Sequence, residues 1–430
     1  MLNTLVPYVL ALRRRFPSAY QFFVNFGKRY LGKRLGIYPR QMANEVRAVT
    51  AVLKSSQWNM CYGTGLAHEH LEHAFADFLG GGYAIAVNTG GMALQMTLRG
   101  LGLKPGDEVI HQVDTCSATA MAVINAGCTP VFSDISTKTF MLDKDRVTDL
   151  FTEKTKLVIA THMWGNPEDM GMISQLRKER EVFILEDTCL SLGAVVDGQA
   201  AGSIGDISAF SFGCLKPIQG GEGGMIFTKN ESLARELRSM RHWGDRTIEF
   251  GSRDVTQLSW NGRMSEIVAA VVHEQLKGYA NHLKTLREAV QAFSDFLVGI
   301  DGLDLHLGAA KRISDSAYTQ IVVRLDEERF GWQKKAFISE LYKRGVQARD
   351  ANFEPINSLT FFKRGGWRHW LPSDDHERIQ ENYAGAFPEA NKLLDHQGIG
   401  LGNINFLSRG NLKNLMRHIS DLAQRRQCPK

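Results

Sequence analysis

Along much of this chain, short apolar runs alternate with stretches whose apolar positions recur at helical spacing. The runs Ala84 to Val87, Glu108 to Ile110, Thr129 to Ile135, Leu157 to Thr161 and Val182 to Leu185 have the length and composition of buried strands. Between them, residues 92–101, 117–126, 143–151 and 171–180 carry the helical pattern. Strand, helix, strand repetition implies right-handed crossovers and an α/β fold with a mainly parallel sheet. In such a sheet, ligands bind beyond the carboxyl ends of the strands.

A further strand is expected at Met225 to Thr228, then a polar helix, then a long helix from about Arg263 to Leu297. That helix is placed to join a large domain, residues 45–285, to a smaller α+β C-terminal domain, residues 286–430. The smaller domain contains a strand at Ile321 to Leu325 and a helix near Gln333 to Arg344.

Composition narrows the class. With 43% hydrophobic and 23% charged residues, the chain reads as an ordinary globular enzyme of two packed regions. Its cysteines, Cys61, Cys116, Cys128, Cys189, Cys214 and Cys428, are scattered without metal-ligand spacing. This argues against a disulfide framework or a metal site and suits the reducing cytoplasm. No apolar run is long enough to span a membrane.

Charge is unevenly distributed. Residues 1–44 hold Arg13, Arg14, Arg15, Lys28, Arg29, Lys33, Arg34 and Arg40 and no acid, so the rest of the chain is net negative. A mildly acidic body argues against nucleic-acid binding. The basic arm also carries Leu5, Val9, Leu10, Phe16, Tyr20, Phe22, Phe23 and Phe26. That mixture suits packing on the body or on a partner subunit first, with contact with an anionic membrane surface as the alternative.

Four features fall at strand ends. The segment Ser211 to Gly224 places Lys216 in a glycine-flanked loop between apolar runs, an arrangement suited to an amine that meets a carbonyl compound. Strand Ala84 to Val87 leads into Asn88, Thr89, Gly90 and Gly91 at a helix start, which suits an anion as well as a plain tight turn. Glu186 and Asp187 follow an apolar run, where a carboxylate can pair with a protonated ring nitrogen or cap the next turn. Asn261 precedes the long helix and is placed to cap it or to reach a ligand.

Together with GLKPGDEVI (Gly102 to Ile110), TCSATAMAVINAGCTPVFSDI (Thr115 to Ile135), HMWGNPEDM (His162 to Met170) and NGRMSE (Asn261 to Glu266), these residues resemble a known family. It is the DegT/DnrJ/EryC1/StrS group of fold-type I, pyridoxal phosphate dependent sugar aminotransferases. The resemblance is strong over residues 40–280 and looser beyond, through VQARDANFEPIN (Val346 to Asn357).

The resemblance implies that Lys216 holds pyridoxal 5'-phosphate as an aldimine and shuttles protons. Asp187 then pairs with the ring nitrogen. Gly90, Gly91, Met92 and Ser211 lie where the family holds the cofactor phosphate, and Cys116 lies at the aromatic that stacks on the ring. Asn261 matches an asparagine that reaches the cofactor of the neighbouring subunit, which implies a homodimer with shared sites.

His162, Trp164, Arg349, Phe353 and Asn357 are the substrate candidates. The implied reaction is ping-pong transfer of an amino group from glutamate or glutamine to a keto sugar, nucleotide-linked or phosphorylated, or to a keto cyclitol. Gly91, Cys116 and Leu190 depart from the family pattern, leaving a less polar, less covered pocket. A pyridoxal phosphate dependent dehydratase or eliminase, and a non-catalytic regulator on the same fold, are the other readings; retention of Lys216 favours transamination.

Overall fold

The computed structural model describes residues 42–58, 66–245, 254–255, 257–352 and 354–425. Residues 1–41 of the basic arm lie outside the described residues, and so do the membrane and intersubunit contacts expected of them.

Helices α1 (Met42–Ser55) and α2 (Ala67–Phe78) lead into the alternating region. There, β1 (Tyr83–Val87), β2 (Glu108–Gln112), β3 (Thr129–Ser133), β4 (Thr155–Thr161) and β5 (Phe183–Asp187) alternate with α3 (Gly90–Gly100), α4 (Ser117–Asn125), α5 (Lys144–Asp149) and α6 (Met170–Arg180). A ribbon of β6 (Val195–Val196) and β7 (Gln199–Ala200) precedes β8 (Ile207–Ser211), β9 (Gly224–Thr228) and α7 (Glu231–Arg241). The expected strands and helices of this region are present with ends shifted by a few residues, the usual uncertainty of element ends.

Seven strands form one sheet in the order β1-β9-β8-β5-β4-β2-β3. The pairs among β8, β5, β4, β2 and β3 are parallel, whereas β9 runs antiparallel to both β8 and β1. Two reversals restore the direction of β1, so its carboxyl end falls on the same side as those of β8 and β5. Val87 and Ser211 both pair with Gly224, which sets the ends of three strands side by side.

Both sheet edges are closed by side chains. On β1, the Ala86 N–H donates to Glu72 Oε1 at 2.8 Å and the Ala86 carbonyl accepts from Arg241 Nη1 at 3.0 Å. On β3, the Phe132 N–H donates to Asn382 Oδ1 at 2.9 Å and Asn382 Nδ2 donates back to the Phe132 carbonyl at 3.0 Å. Tyr383 Oη adds a bond to Pro130 O at 2.9 Å. These groups occupy backbone positions that would otherwise template a further strand. Asn382 and Tyr383 belong to α9 (His376–Ala384), so a C-terminal segment of the chain returns to the edge of this sheet.

The long helix, α8 (Glu266–Leu297), has 32 residues and spans about 48 Å. Ser265 rather than Asn261 caps it, accepting from the Val268 N–H at 3.4 Å. Leu286, Val290, Phe293 and Leu297 on its last turns join the core of a second, antiparallel sheet in the order β10-β11-β13-β12. That sheet comprises β10 (Leu303–His306), β11 (Ile321–Leu325), β12 (Ala348–Asp350) and β13 (Gly398–Leu401).

Replacing Asn382 with Ala removes both bonds to the β3 edge. We expect a loss of about 1–3 kcal/mol in unfolding free energy by denaturant titration. A change below about 0.5 kcal/mol would show that the edge contact is not stabilising.

Candidate active site

Lys216 lies between β8 and β9 in a loop held on three sides. The Phe212 N–H donates to Gly223 O at 2.9 Å, the Gly220 N–H to Phe212 O at 2.8 Å, and the Lys216 N–H to Gly213 O at 3.0 Å. The Gln219 backbone exchanges two bonds of 2.9 Å with the Gln275 side chain of α8. Gly220 permits this contact, because a Cβ there would lie 2.6 Å from Val268 Cγ1 and 2.7 Å from Glu222 O. Gly221 and Gly223 have φ of 86° and 148°, values that L side chains seldom adopt. Among the described residues, the Lys216 ammonium has no hydrogen bond or ion pair.

The turn after β1 approaches the same loop. Thr89 caps α3, accepting from the Met92 N–H at 3.0 Å. This leaves the first-turn amides of Gly90 and Gly91 without intrahelical partners. The Met92 amide is therefore already engaged, and the hydroxyl absent at Gly91 stands instead at Thr89. A Cβ on Gly90 would sit 2.7 Å from Ser211 Cβ and 3.0 Å from its Oγ, and one on Gly224 would sit 2.4 Å from Thr89 O. Glycine at both places lets backbone amides and the Ser211 hydroxyl line one small cradle.

β5 runs through Glu186 to Asp187, and Asp187, unlike Glu186, caps the turn that follows. Asp187 is 4% exposed. Its Oδ1 accepts from the Cys189 N–H at 3.2 Å and its Oδ2 from Thr119 Oγ1 at 3.0 Å. Burial pushes the Cys189 thiol well above its ordinary pKa; the charge of Asp187 adds to this and that of Lys216 opposes it. Acid and amine therefore both lie within electrostatic reach of the Cys189 thiol, and the Cys116 thiol also contributes. Cys116 itself is exposed at the N-cap of α4 and makes no side-chain cap bond.

The substrate candidates are placed differently. His162 is fully buried. Its Nδ1 accepts from the Glu168 N–H at 2.9 Å, so its Nε2 carries the proton donated to Glu186 Oε2 at 3.0 Å. Trp164 is 2% exposed and donates to Ala351 O at 3.0 Å. Neither presents a free polar atom to a ligand; both tie the end of β4 to its surroundings. Arg349 is exposed and donates to Gln320 Oε1 at 2.6 Å. Asn357 donates to Tyr383 O at 3.3 Å, and Phe353 lies outside the described residues. Leu190 packs partly buried against the aromatic cluster of Phe132, Phe362 and Tyr383, and its carbonyl accepts from Thr319 Oγ1.

Asn261 is exposed, with its backbone fixed against the end of β1: Asn88 Nδ2 donates to its carbonyl at 3.3 Å, and the Asn88 N–H to Gly262 O at 2.8 Å. Thr119 and Gln275 escaped the sequence reading, which took Thr89 only as part of the turn before α3. A capping threonine before Gly90 carried a recognisable signal. Thr119 and Gln275 carried none, since each acts on a residue distant in sequence.

An amine, a buried carboxylate and a cradle of amides plus a hydroxyl form the donor set required by pyridoxal phosphate. The cradle would be filled by any Cβ at Gly90, and the carboxylate has no cationic partner among the described residues, so the residues present fit that group. Fold and site together define a fold-type I, pyridoxal phosphate dependent aminotransferase.

The model of the DegT/DnrJ/EryC1/StrS aminotransferase family matches residues 39–372, and the chain belongs to that family. GDP-perosamine synthase from Caulobacter vibrioides is 36% identical over 67% of this chain and 76% of its own length. UDP-N-acetyl-3-dehydro-alpha-D-glucosamine 3-aminotransferase from Acidithiobacillus ferrooxidans is 33% identical over 60% of this chain and 68% of its own. The crystal structure of an aminotransferase from Psychrobacter cryohalolentis superimposes with a TM-score of 0.79 at 26% identity, covering 90% of this chain and 98% of that one.

Burial lowers the pKa of both His111 and His306 to about 4. The unfolded chain binds protons on them near 6.5 while the folded chain does not, so stability falls as pH drops from about 6.5 towards about 4. Each ring accounts for up to about 3 kcal/mol of that loss. We expect denaturation at pH 7.5 and pH 5 to show a smaller difference for His111→Asn and His306→Asn than for the wild type. An unchanged difference in both variants would assign the acid sensitivity to other groups.

Proposed function

We propose that the enzyme transfers an amino group from glutamate or glutamine to a keto sugar carried on a nucleotide, through two half-reactions at Lys216. The observation that carries this reading is that Lys216, unpartnered among the described residues, and the buried Asp187 carboxylate both lie within electrostatic reach of Cys189. The two curated relatives add the acceptor class, since their names describe GDP- and UDP-linked sugars.

In this reading Lys216 Nζ would hold the cofactor and would move a proton at the carbon that gains or loses nitrogen. Bound there, pyridoxal phosphate supplies an electron sink for that carbon. Asp187 keeps the ring nitrogen protonated through a charge-assisted bond. The Gly90 and Gly91 amides and Ser211 Oγ hold the phosphate, with the start of α3 favouring its charge. Cys116, at the position of the family's stacking aromatic, would cover less of the ring than an aromatic side chain. Exposed Arg349 is the remaining cationic candidate for a substrate anion.

The proposed active unit is a two-fold homodimer in which exposed Asn261 reaches the partner's cofactor site. No helix among the described residues is long and apolar enough to cross a membrane. We place the reaction in the cytoplasm, whose reducing conditions suit the scattered cysteines.

Supplied with pyridoxal phosphate, the wild type should show a visible absorption band abolished by borohydride. With glutamate and keto-sugar nucleotides it should yield amino sugars by mass spectrometry. Lys216→Ala should lack the band and lose turnover by at least about a thousand-fold. A Lys216→Ala protein that keeps both would overturn the assignment.

Mixing Lys216→Ala chains with Asn261→Ala chains should restore activity, because one site of each mixed dimer regains both native residues. Absence of recovery, with mixed dimers demonstrated by native mass spectrometry, would overturn the shared site.

A further inference from the structure

Thr119 behaves unlike the other threonines inside helices here. The hydroxyls of Thr97, Thr148 and Thr285 turn back to carbonyls three or four residues earlier, Leu94, Lys144 and Asn281, as threonines in helices commonly do. Thr119 lies in the first turn of α4, where its own N–H donates to Cys116 O at 3.0 Å. Its hydroxyl leaves the helix and donates to Asp187 Oδ2 at 3.0 Å. The two residues are 68 positions apart in sequence, and Thr119 is fully buried.

Asp187 is a buried carboxylate that accepts from the Cys189 N–H and the Thr119 hydroxyl, with the Cys189 thiol also bonded to it, and it has no ion pair among the described residues. An ionised carboxylate accepts about four hydrogen bonds, so capacity is left for a cationic donor. Its donors come from two directions. The Cys189 amide belongs to the turn that follows β5, whereas the Thr119 hydroxyl comes from α4, which packs on the same sheet. Donors from one direction would leave the carboxylate free to swing about its χ2 bond; two directions fix its plane.

We propose that Thr119 is a positioning residue for the cofactor, orienting Asp187 so that its free lone pairs meet the ring nitrogen in line. This rests on the reading of Asp187 as the partner of that nitrogen. The hydroxyl touches neither substrate nor cofactor and acts through the acid. Deleting it leaves the acid bound from the Cys189 side only, and the ring then sits at a less defined angle.

The test compares Thr119→Val, which keeps the side-chain shape without the donor, Thr119→Ser, which keeps the donor, and Asp187→Ala. Apo-protein of each is titrated with pyridoxal phosphate, following the visible band and its induced circular dichroism, and the melting temperature of each apo form controls for folding. The expected result is about ten- to hundred-fold weaker binding and reduced dichroism for Thr119→Val. Thr119→Ser should remain within about three-fold of the wild type.

If Asp187→Ala binds and orients the cofactor as the wild type does, the reading of Asp187 fails and the inference falls with it. If Asp187→Ala is impaired while Thr119→Val matches the wild type, only the inference is overturned. Equal losses in Thr119→Val and Thr119→Ser would also overturn it, by assigning the effect to packing. Should Thr119→Val not fold, Thr119→Ala takes its place with the same expected and overturning results.

Discussion

Close approach of backbone to backbone is the constraint on which the site depends. The start of α3 must lie against Ser211, β9 must pass beneath the Thr89 carbonyl, and the lysine loop must press on α8. Each contact would place a Cβ within 2.4–2.7 Å of another atom if Gly90, Gly224 or Gly220 were any other residue. Real Cβ atoms do not tolerate such distances, so even alanine at any of the three would push the elements apart. The glycines around Lys216 therefore act less by loosening the loop than by letting these elements approach closely.

Adjacent acids on β5 illustrate how burial can serve opposite ends. Successive residues of a strand face opposite sides of the sheet. Glu186 is surrounded by donors: the His162 ring at 3.0 Å and the amides of Gly202, Ile204 and Gly205 at 2.6–2.8 Å. Burial alone would push Glu186 up, but the His162 ring and these amides outweigh it and hold its carboxyl below the usual range. Its capacity is spent inside the protein, joining β4, β5 and the 202–205 turn. Asp187 receives only the Cys189 amide and thiol and the Thr119 hydroxyl, which leaves it lone-pair capacity that Glu186 lacks.

The order of strands and helices, the lysine loop and the acids at the end of β5 were legible in the sequence because each is a local pattern. Periodicity marks strands and helices, and glycines or acids at strand ends mark turns and ligands. What escaped depends on packing. Thr119 looks like any helical threonine until α4 is laid on β5, and Asn382 looks like a surface residue until α9 reaches the edge of β3. His162 and Trp164 misled in the other direction. Their position after a strand resembles a ligand contact, yet both are consumed in holding the chain, a role that only burial reveals.

That holding role explains the strain stored beside the site. Trp164 has φ of 58° and Gly165 of 100°, and a Cβ on Gly165 would lie 2.3 Å from the Tyr318 nitrogen. Tyr318 is itself at φ 51°. Left-handed backbone at two large aromatic residues is costly and persists only where surrounding contacts compel it. Here the compulsion comes from the Gly165 and Trp164 carbonyls, which accept from the Ala317 and Gln320 amides at 2.7 and 3.0 Å. Gln320 in turn holds Arg349, and Trp164 holds the Ala351 carbonyl on the segment after β12. The end of β4 is thus tied to the strands that carry Arg349, while His162, two residues earlier, is tied to Glu186 and so to the strand that carries Asp187. Hydrogen bonds at Gln320, Trp164 and His162 thus join the segment that carries Arg349 to β5.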